Sequence, residues 1–177
     1  MRVLLDTNVV QHLTAFGEYI YDGYLSSERL QRFDRLGENL KSDIESLRII
    51  LGVAPTRSPA IPVVSELSIL ELAATIDPVN RSKLVSWGLE LATYDSPTRP
   101  YRLNASKQRR LAVASNLPDT VDQLLLGECR RLECEAFVTT DYRTILSRRT
   151  GQRIDGVLVL SPTEWWERLQ PWWALWV

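Results

Sequence analysis

Four carboxylates in this 177-residue chain stand where their type and placement could do chemistry. Asp6 ends the apolar run Val3–Leu5, and Asp141 ends a second such run, Glu135–Thr140. Glu71 lies among Leu67, Leu70 and Ala74, on the side of its segment that should pack inward. Asp122 shares an apolar stripe with Leu125, Cys129 and Leu132. Four carboxylates converging on one sheet edge would repel one another and resist ionising. A hard divalent cation relieves that repulsion, and oxygen-only ligation selects Mg²⁺ or Mn²⁺. An ion held this way lowers the pKa of a water and stabilises charge growing on a phosphate. Arg143, Arg148 and Arg149, just beyond Asp141, are then candidates to position a substrate backbone. Plainer readings stand beside these: Asp6 as a helix cap, Asp119 as a helix-dipole partner, the arginines as a solvated loop.

The elements that must carry these groups follow from hydrophobic pattern. Val3–Leu5, Ile61–Val64, Glu135–Thr140 and Val157–Leu160 are short apolar runs without alternation, as expected of strands covered on both faces. Between them the spacing predicts helices over Val9–Phe16, Ser65–Ile76, Val79–Tyr94 and from Pro118 onward. Gly17–Gly23 reads as a break. Apolar steps of three and four from Leu30 to Ile50 predict one long helix from Ser27, its charges a solvated face. Ala105–Ser115 is a short basic stretch with helical character. Ser161-Pro162-Thr163-Glu164 is a capping box with Pro at the first helical position. Glu66 and Glu71, five residues apart, point about 140° apart on a helix, so only one can face a given site. The alternation of strands and helices predicts an α/β protein with a mainly parallel sheet. Acids at the carboxyl ends of its strands sit where such sheets bind ligands.

Composition narrows the setting. The length suits one domain spanning residues 1–177, and the hydrophobic and charged fractions of 45% and 24% are those of an ordinary globular protein. No apolar run approaches the roughly 18 residues of a membrane span, and Asp6 interrupts any secretory layout, so a cytoplasmic protein without membrane contact is expected. Cys129, Cys134 and the lone His12 cannot make a four-ligand zinc site. Net charge is −1. From Met1 to Thr98 there are 9 Lys+Arg against 13 Asp+Glu, and from Arg99 to Arg153 there are 11 against 6, which places any polyanion contact in the second stretch. Trp165, Trp166, Trp172, Trp173 and Trp176 crowd the tail, where Pro171 should interrupt a continuous helix. Core packing is expected for most of these rings, with any exposed one serving a protein partner or a second copy of the chain.

Three segments, LLDTNVV, SELSILELA and DQLLLGECRRLECEAFVTTD, resemble the motifs of the PIN-domain nucleases, a family that includes the toxin ribonucleases of bacterial toxin–antitoxin pairs. The resemblance implies a three-layer α/β/α sandwich and a metal-dependent endoribonuclease. Asp6, Glu71, Asp122 and Asp141 would be the catalytic acids, with Asp6, Asp122 and Asp141 on Mg²⁺ or Mn²⁺. Asn8, Thr139 and Asp119 would support them, Asp119 replacing or assisting Asp122. The implied partners are an RNA substrate and an antitoxin protein. Helical insertions near residues 17–60 and 78–115 make this chain longer than the compact toxins it resembles, so substrate access could be narrowed or redirected. A haloacid-dehalogenase phosphatase would need an acid where Asn8 stands, and a receiver domain would need a lysine beyond Lys107. The non-enzymatic rival is an inactive scaffold of the same fold that binds RNA or protein.

Overall fold

Val3, Leu4 and Leu5 are fully buried, which explains why their run shows no polar alternation. They form β1 (Arg2–Leu5), which lies between β2 (Ile61–Val63) and β3 (Ala136–Val138) and pairs in parallel with both. Beyond β3 lie β5 (Val157–Leu160), also parallel, and then β4 (Arg153–Ile154), antiparallel, giving the order β2-β1-β3-β5-β4. The structure is a computed structural model that describes residues 1–53, 61–95 and 117–173. The expected basic helix at 105–115, and Trp176, lie outside the described residues.

Side-chain parity divides the core in two. Val3, Leu5, Ala136, Val138 and Leu160 face one cluster, and Leu4, Val63, Phe137, Val157 and Val159 face the other. The first cluster is roofed by α1 (Thr7–Ala15), α2 (Gly17–Asp22), α4 (Glu38–Leu47), α6 (Pro78–Asp95) and α8 (Pro162–Trp173). The second is covered by α7 (Thr120–Arg131) together with Ile145 and Leu146. α5 (Glu66–Ala73) gives Ile69 and Leu72 to the first cluster and Leu67 to the second. The result is an α/β fold whose five-stranded, mostly parallel sheet carries helices on both faces, compatible with a three-layer sandwich. Among the described residues, no helix is long and apolar enough to cross a membrane.

The capping box forms as its residues demand: Ser161 Oγ accepts from Glu164 N at 3.2 Å, and Ser161 N donates to Glu164 Oε2 at 2.8 Å. Ser65 caps α5 by accepting from Ser68 N at 3.0 Å.

Other expectations need correction. The long helix from Ser27 is two helices, α3 (Ser27–Asp34) and α4, capped by Ser26 and by an extended Gly37 respectively. The apolar spacing runs on in register across the break and hides it. A π-helical turn, Arg48–Val53, follows α4. There Gly52 is obligatory, because a Cβ would fall 1.8 Å from the Ile20 carbonyl oxygen. The supposed break at Gly17–Gly23 is α2, closed by Gly23 at φ +70°. The helix expected from Pro118 starts at Thr120, capped by Asp119. β4 was not expected; it joins β5 through Asp155 and Gly156, both at positive φ, in a tight two-residue hairpin turn.

In the tail, α8 continues through Pro171 to Trp173. The ring comes near the end of the described helix, where the hydrogen bond that an N–H would make one turn back is lost. Trp165 is fully buried, Trp166 and Trp173 meet edge-to-face at 5.4 Å, and Trp172 is 61% exposed.

Candidate functional site: an acidic strand edge

Each acid reaches the carboxyl edge of the sheet by a different route. Asp6 follows β1 directly and precedes α1, and its own N–H donates to the Val138 carbonyl of β3 at 2.9 Å. No side-chain hydrogen bond from Asp6 caps α1, which removes the plainest alternative explanation for it. Only 2% of Asp6 is exposed. Thr139, fully buried just past β3, donates its hydroxyl to Asp6 Oδ2 at 2.5 Å, and the Asn8 amide lies 3.4 Å from the same oxygen. Glu71 sits mid-helix on α5, where Thr7 Oγ1 donates to its Oε2 at 2.5 Å. Asp122 occupies the first turn of α7, and among the described residues no hydrogen bond reaches its carboxylate. Asp119, one turn earlier, is the N-cap and accepts from Val121 N at 2.7 Å.

Burial and mutual repulsion then set the protonation states. Asp6 is pushed up to about 7, first by desolvation and then by the charges of Asp122 and Glu71, against the opposing Thr139 hydroxyl and Thr7 N–H. Asp122 is pushed up to about 6 by burial and by Asp119, Asp141 and Glu71. Glu71 is raised by burial, with Thr7 holding it back and Asp119 adding to the rise. Repulsion thus links Asp6 to Asp122 and Glu71, and Asp122 in turn to Asp119 and Asp141.

Asp141 behaves differently from the other three. Burial raises its pKa, but the Thr144 hydroxyl and N–H and the Arg143 and Ile145 amides outweigh that, and the net shift is downward. Its Oδ1 accepts from Arg143 N at 2.9 Å and Thr144 N at 2.7 Å, while Oδ2 takes the Thr144 hydroxyl. Asp141 is thus held by its own turn, unlike the three acids that burial and repulsion oppose.

Arg149, one of the three arginines singled out beyond Asp141, is engaged within the protein. Its guanidinium donates to Glu164 Oε2 at 2.5 Å and the Val159 carbonyl at 2.9 Å from Nη1, and to the Leu146 carbonyl at 3.1 Å from Nε. Through Nε and Nη1 it ties the loop to β5 and α8. Arg143 and Arg148 are exposed.

Sequence reasoning missed three supports. Thr7 orients Glu71 and Thr144 orients Asp141, and the signal for both was a hydroxyl within three residues of a strand-end acid. The third is Asp43 on α4, fully buried, which accepts from Tyr142 Oη at 2.8 Å and from Thr163 N and Oγ1 at 3.1 and 2.8 Å. It fastens the loop after β3 to the start of α8. Asp43 falls on the apolar stripe of Leu40 and Leu47, a spacing at odds with a solvated charge.

As a donor set the edge offers carboxylates and hydroxyls. Cys129 and Cys134 lie at the far end of α7 as free thiols. Oxygen donors with raised pKa values fit a hard divalent cation in chemistry. In placement, no group of three or more His, Cys, Asp or Glu among the described residues lies close enough together to hold a metal ion. Compared with known protein families, curated proteins and solved structures, the chain matches none.

Proposed function

We propose that this chain is a divalent-metal-dependent endoribonuclease of the PIN-domain type. One observation carries the reading: Asp6, closed off at the end of a parallel strand and pushed up to about 7, sits in the fields of Asp122 and Glu71. A fold has little reason to bury an acid against other acids unless a cation offsets their repulsion. Asp6 and Asp122 are the residues that would hold Mg²⁺ or Mn²⁺, with Asp141 completing the set if its turn yields. Such an ion, when bound, supplies an acidified water and neutralises charge on a phosphate. The chain's own residues do the rest. Thr139 and Asn8 hold Asp6 to one orientation, Thr7 fixes Glu71 toward the same edge, and Glu71, its pKa raised by burial, is the group placed to accept or return a proton. Whether such a nuclease is paired with an antitoxin protein belongs to the same proposal and rests on the motif likeness alone.

Asp141 favours a second reading, a scaffold that binds without cleaving, because both of its oxygens are already engaged. RNA cleavage in Mg²⁺, Mn²⁺ or EDTA, by wild type and Asp6→Asn together, separates the two. Cleavage that needs the ion and vanishes in Asp6→Asn supports the nuclease. Cleavage indifferent to both, or absent under all conditions, removes it.

A further inference from the structure

α1 and α5 meet along a seam beside the acids. Thr7 and Glu71 meet across it, and one helical turn further along, about 6 Å, stand Gln11 on α1 and Thr75 just past α5. Both line a cleft of about 320 Å³ whose other walls come from α3 and the N-terminal turns of α6. Arg29, Arg32 and Lys83 converge on it from those two helices, and no carboxylate lines it among the described residues. Arg29 is held by Glu18 at 2.9 Å, and Arg32 rests its guanidinium 6.0 Å above the Phe16 ring. Lys83 is exposed. The remaining polar walls, including Gln11, Thr14 and Asn80, are uncharged hydrogen-bonding groups.

We propose that this cleft binds the phosphate backbone of single-stranded nucleic acid, carrying the strand away from the acidic edge. The inference takes its substrate class from the nuclease reading and rests on it. Cations interleaved with amides and hydroxyls are the usual contacts to phosphate and sugar. Leu84 and Ala15 are the apolar residues among those lining the cleft, too little to anchor a folded protein partner. An adjoining cavity shares Thr14, Arg29 and Lys83, is lined also by Glu18 and Asp22, and contains Tyr21 stacked on Trp87 at 5.4 Å, a surface on which an unpaired base can lie. These cations come from the acidic half of the sequence, brought together by folding.

The test is fluorescence anisotropy of a labelled oligouridylate with the full chain in EDTA, across a salt series, so that binding is read without cleavage. Lys83→Glu and Arg32→Glu are each expected to weaken binding by about fivefold or more near 0.1 M salt. Each should also flatten the slope of log K against log salt by about 0.7, the value for one phosphate contact on a single strand. Arg130→Glu, an exposed charge on α7 across the sheet, is the comparison and should leave both unchanged. Circular dichroism verifies that each variant is folded. Wild-type affinity and slope in both cleft variants overturn the proposal, as does absence of binding by wild type. Equal binding of a poly-glutamate peptide overturns it in favour of an acidic protein partner. Binding that depends on Lys83 with no metal-dependent cleavage would remove the nuclease reading and leave the cleft; cleavage indifferent to Lys83 would do the reverse.

Discussion

Replacing Asp6 with Asn should stabilise the metal-free protein at alkaline pH, and the size of the gain should depend on pH. The folded-state pKa of Asp6 is raised from 3.8 to about 7, so the folded form prefers the protonated acid. The linked stability is therefore complete below about pH 4 and is lost as pH rises through about 7. Within that window each pH unit removes about 1.4 kcal/mol, so Asp6 alone costs wild type roughly 3 kcal/mol between pH 5 and pH 8. The amide that replaces the carboxylate has no charge to desolvate and loses none of this. Removing the Asp6 charge also relieves Asp122, which adds in the same direction. For a chain of this length about 3 kcal/mol is ~6–12 °C in Tm. The assay is thermal unfolding of both proteins in EDTA from pH 5 to pH 8. The packing cost of the amide is common to every pH and cancels when slopes are compared, so the readout is the divergence of the two curves. Mg²⁺ at pH 8 should then restore wild type and leave Asp6→Asn unmoved. Parallel pH curves, within about 1 kcal/mol, would refute the argument that burial and repulsion strain Asp6.

The other acids and the core give further expectations. Asp141→Ala should lose about 2 kcal/mol near neutral pH by urea denaturation, because three donors lose their acceptor, and the loss should shrink as pH falls through the depressed pKa of Asp141. An unchanged midpoint would make its turn incidental. Trp165→Ala should cost about 3–5 kcal/mol, whereas Trp172→Ala should stay within about 0.5 kcal/mol; similar effects from both would contradict the burial difference between them. Gly52→Ala should destabilise by about 2–3 kcal/mol, since the backbone of α2 must move to admit a methyl group, and a neutral melt would show that α2 is free to shift.

The parts of the fold that were legible in the sequence are those written in local chemistry. Val3–Leu5 and Val157–Leu160 have nothing polar to expose, so they had to be covered strands, and Ser161 with Glu164 could satisfy one another only at a helix start. What escaped depends on partners far away in sequence. Leu36 and Leu40 keep helical spacing across Gly37, so periodicity could not reveal the break between α3 and α4. β4 has two residues and exists because β5 is beside it. Arg149 was indistinguishable from Arg143 in sequence until β5 and α8 supplied its acceptors. The acids themselves were legible, since each ends a strand or lies on a helix that starts at the same edge. That Asp141 is satisfied while Asp122 is strained was not, because the difference lies in the few amides that the turn after β3 directs at one carboxylate.

The placement of β1 between β2 and β3 bears on the order in which the protein can be made. The strand that carries Asp6 is synthesised before either of its neighbours, and Arg2 pairs with Ile61 while Val3 pairs with Ala136. During synthesis the segment bearing Asp6 can gain its first neighbour once Ile61–Val63 has emerged, and its second only after Ala136–Val138 follows. Pairings this far apart in sequence make closure slow relative to helix formation. Through that interval Asp6 is an ordinary ionised carboxylate, with neither Thr139 to orient it nor Asp122 to oppose it. A nascent chain therefore has no acidic edge, and the edge comes into being only as the centre of the sheet closes.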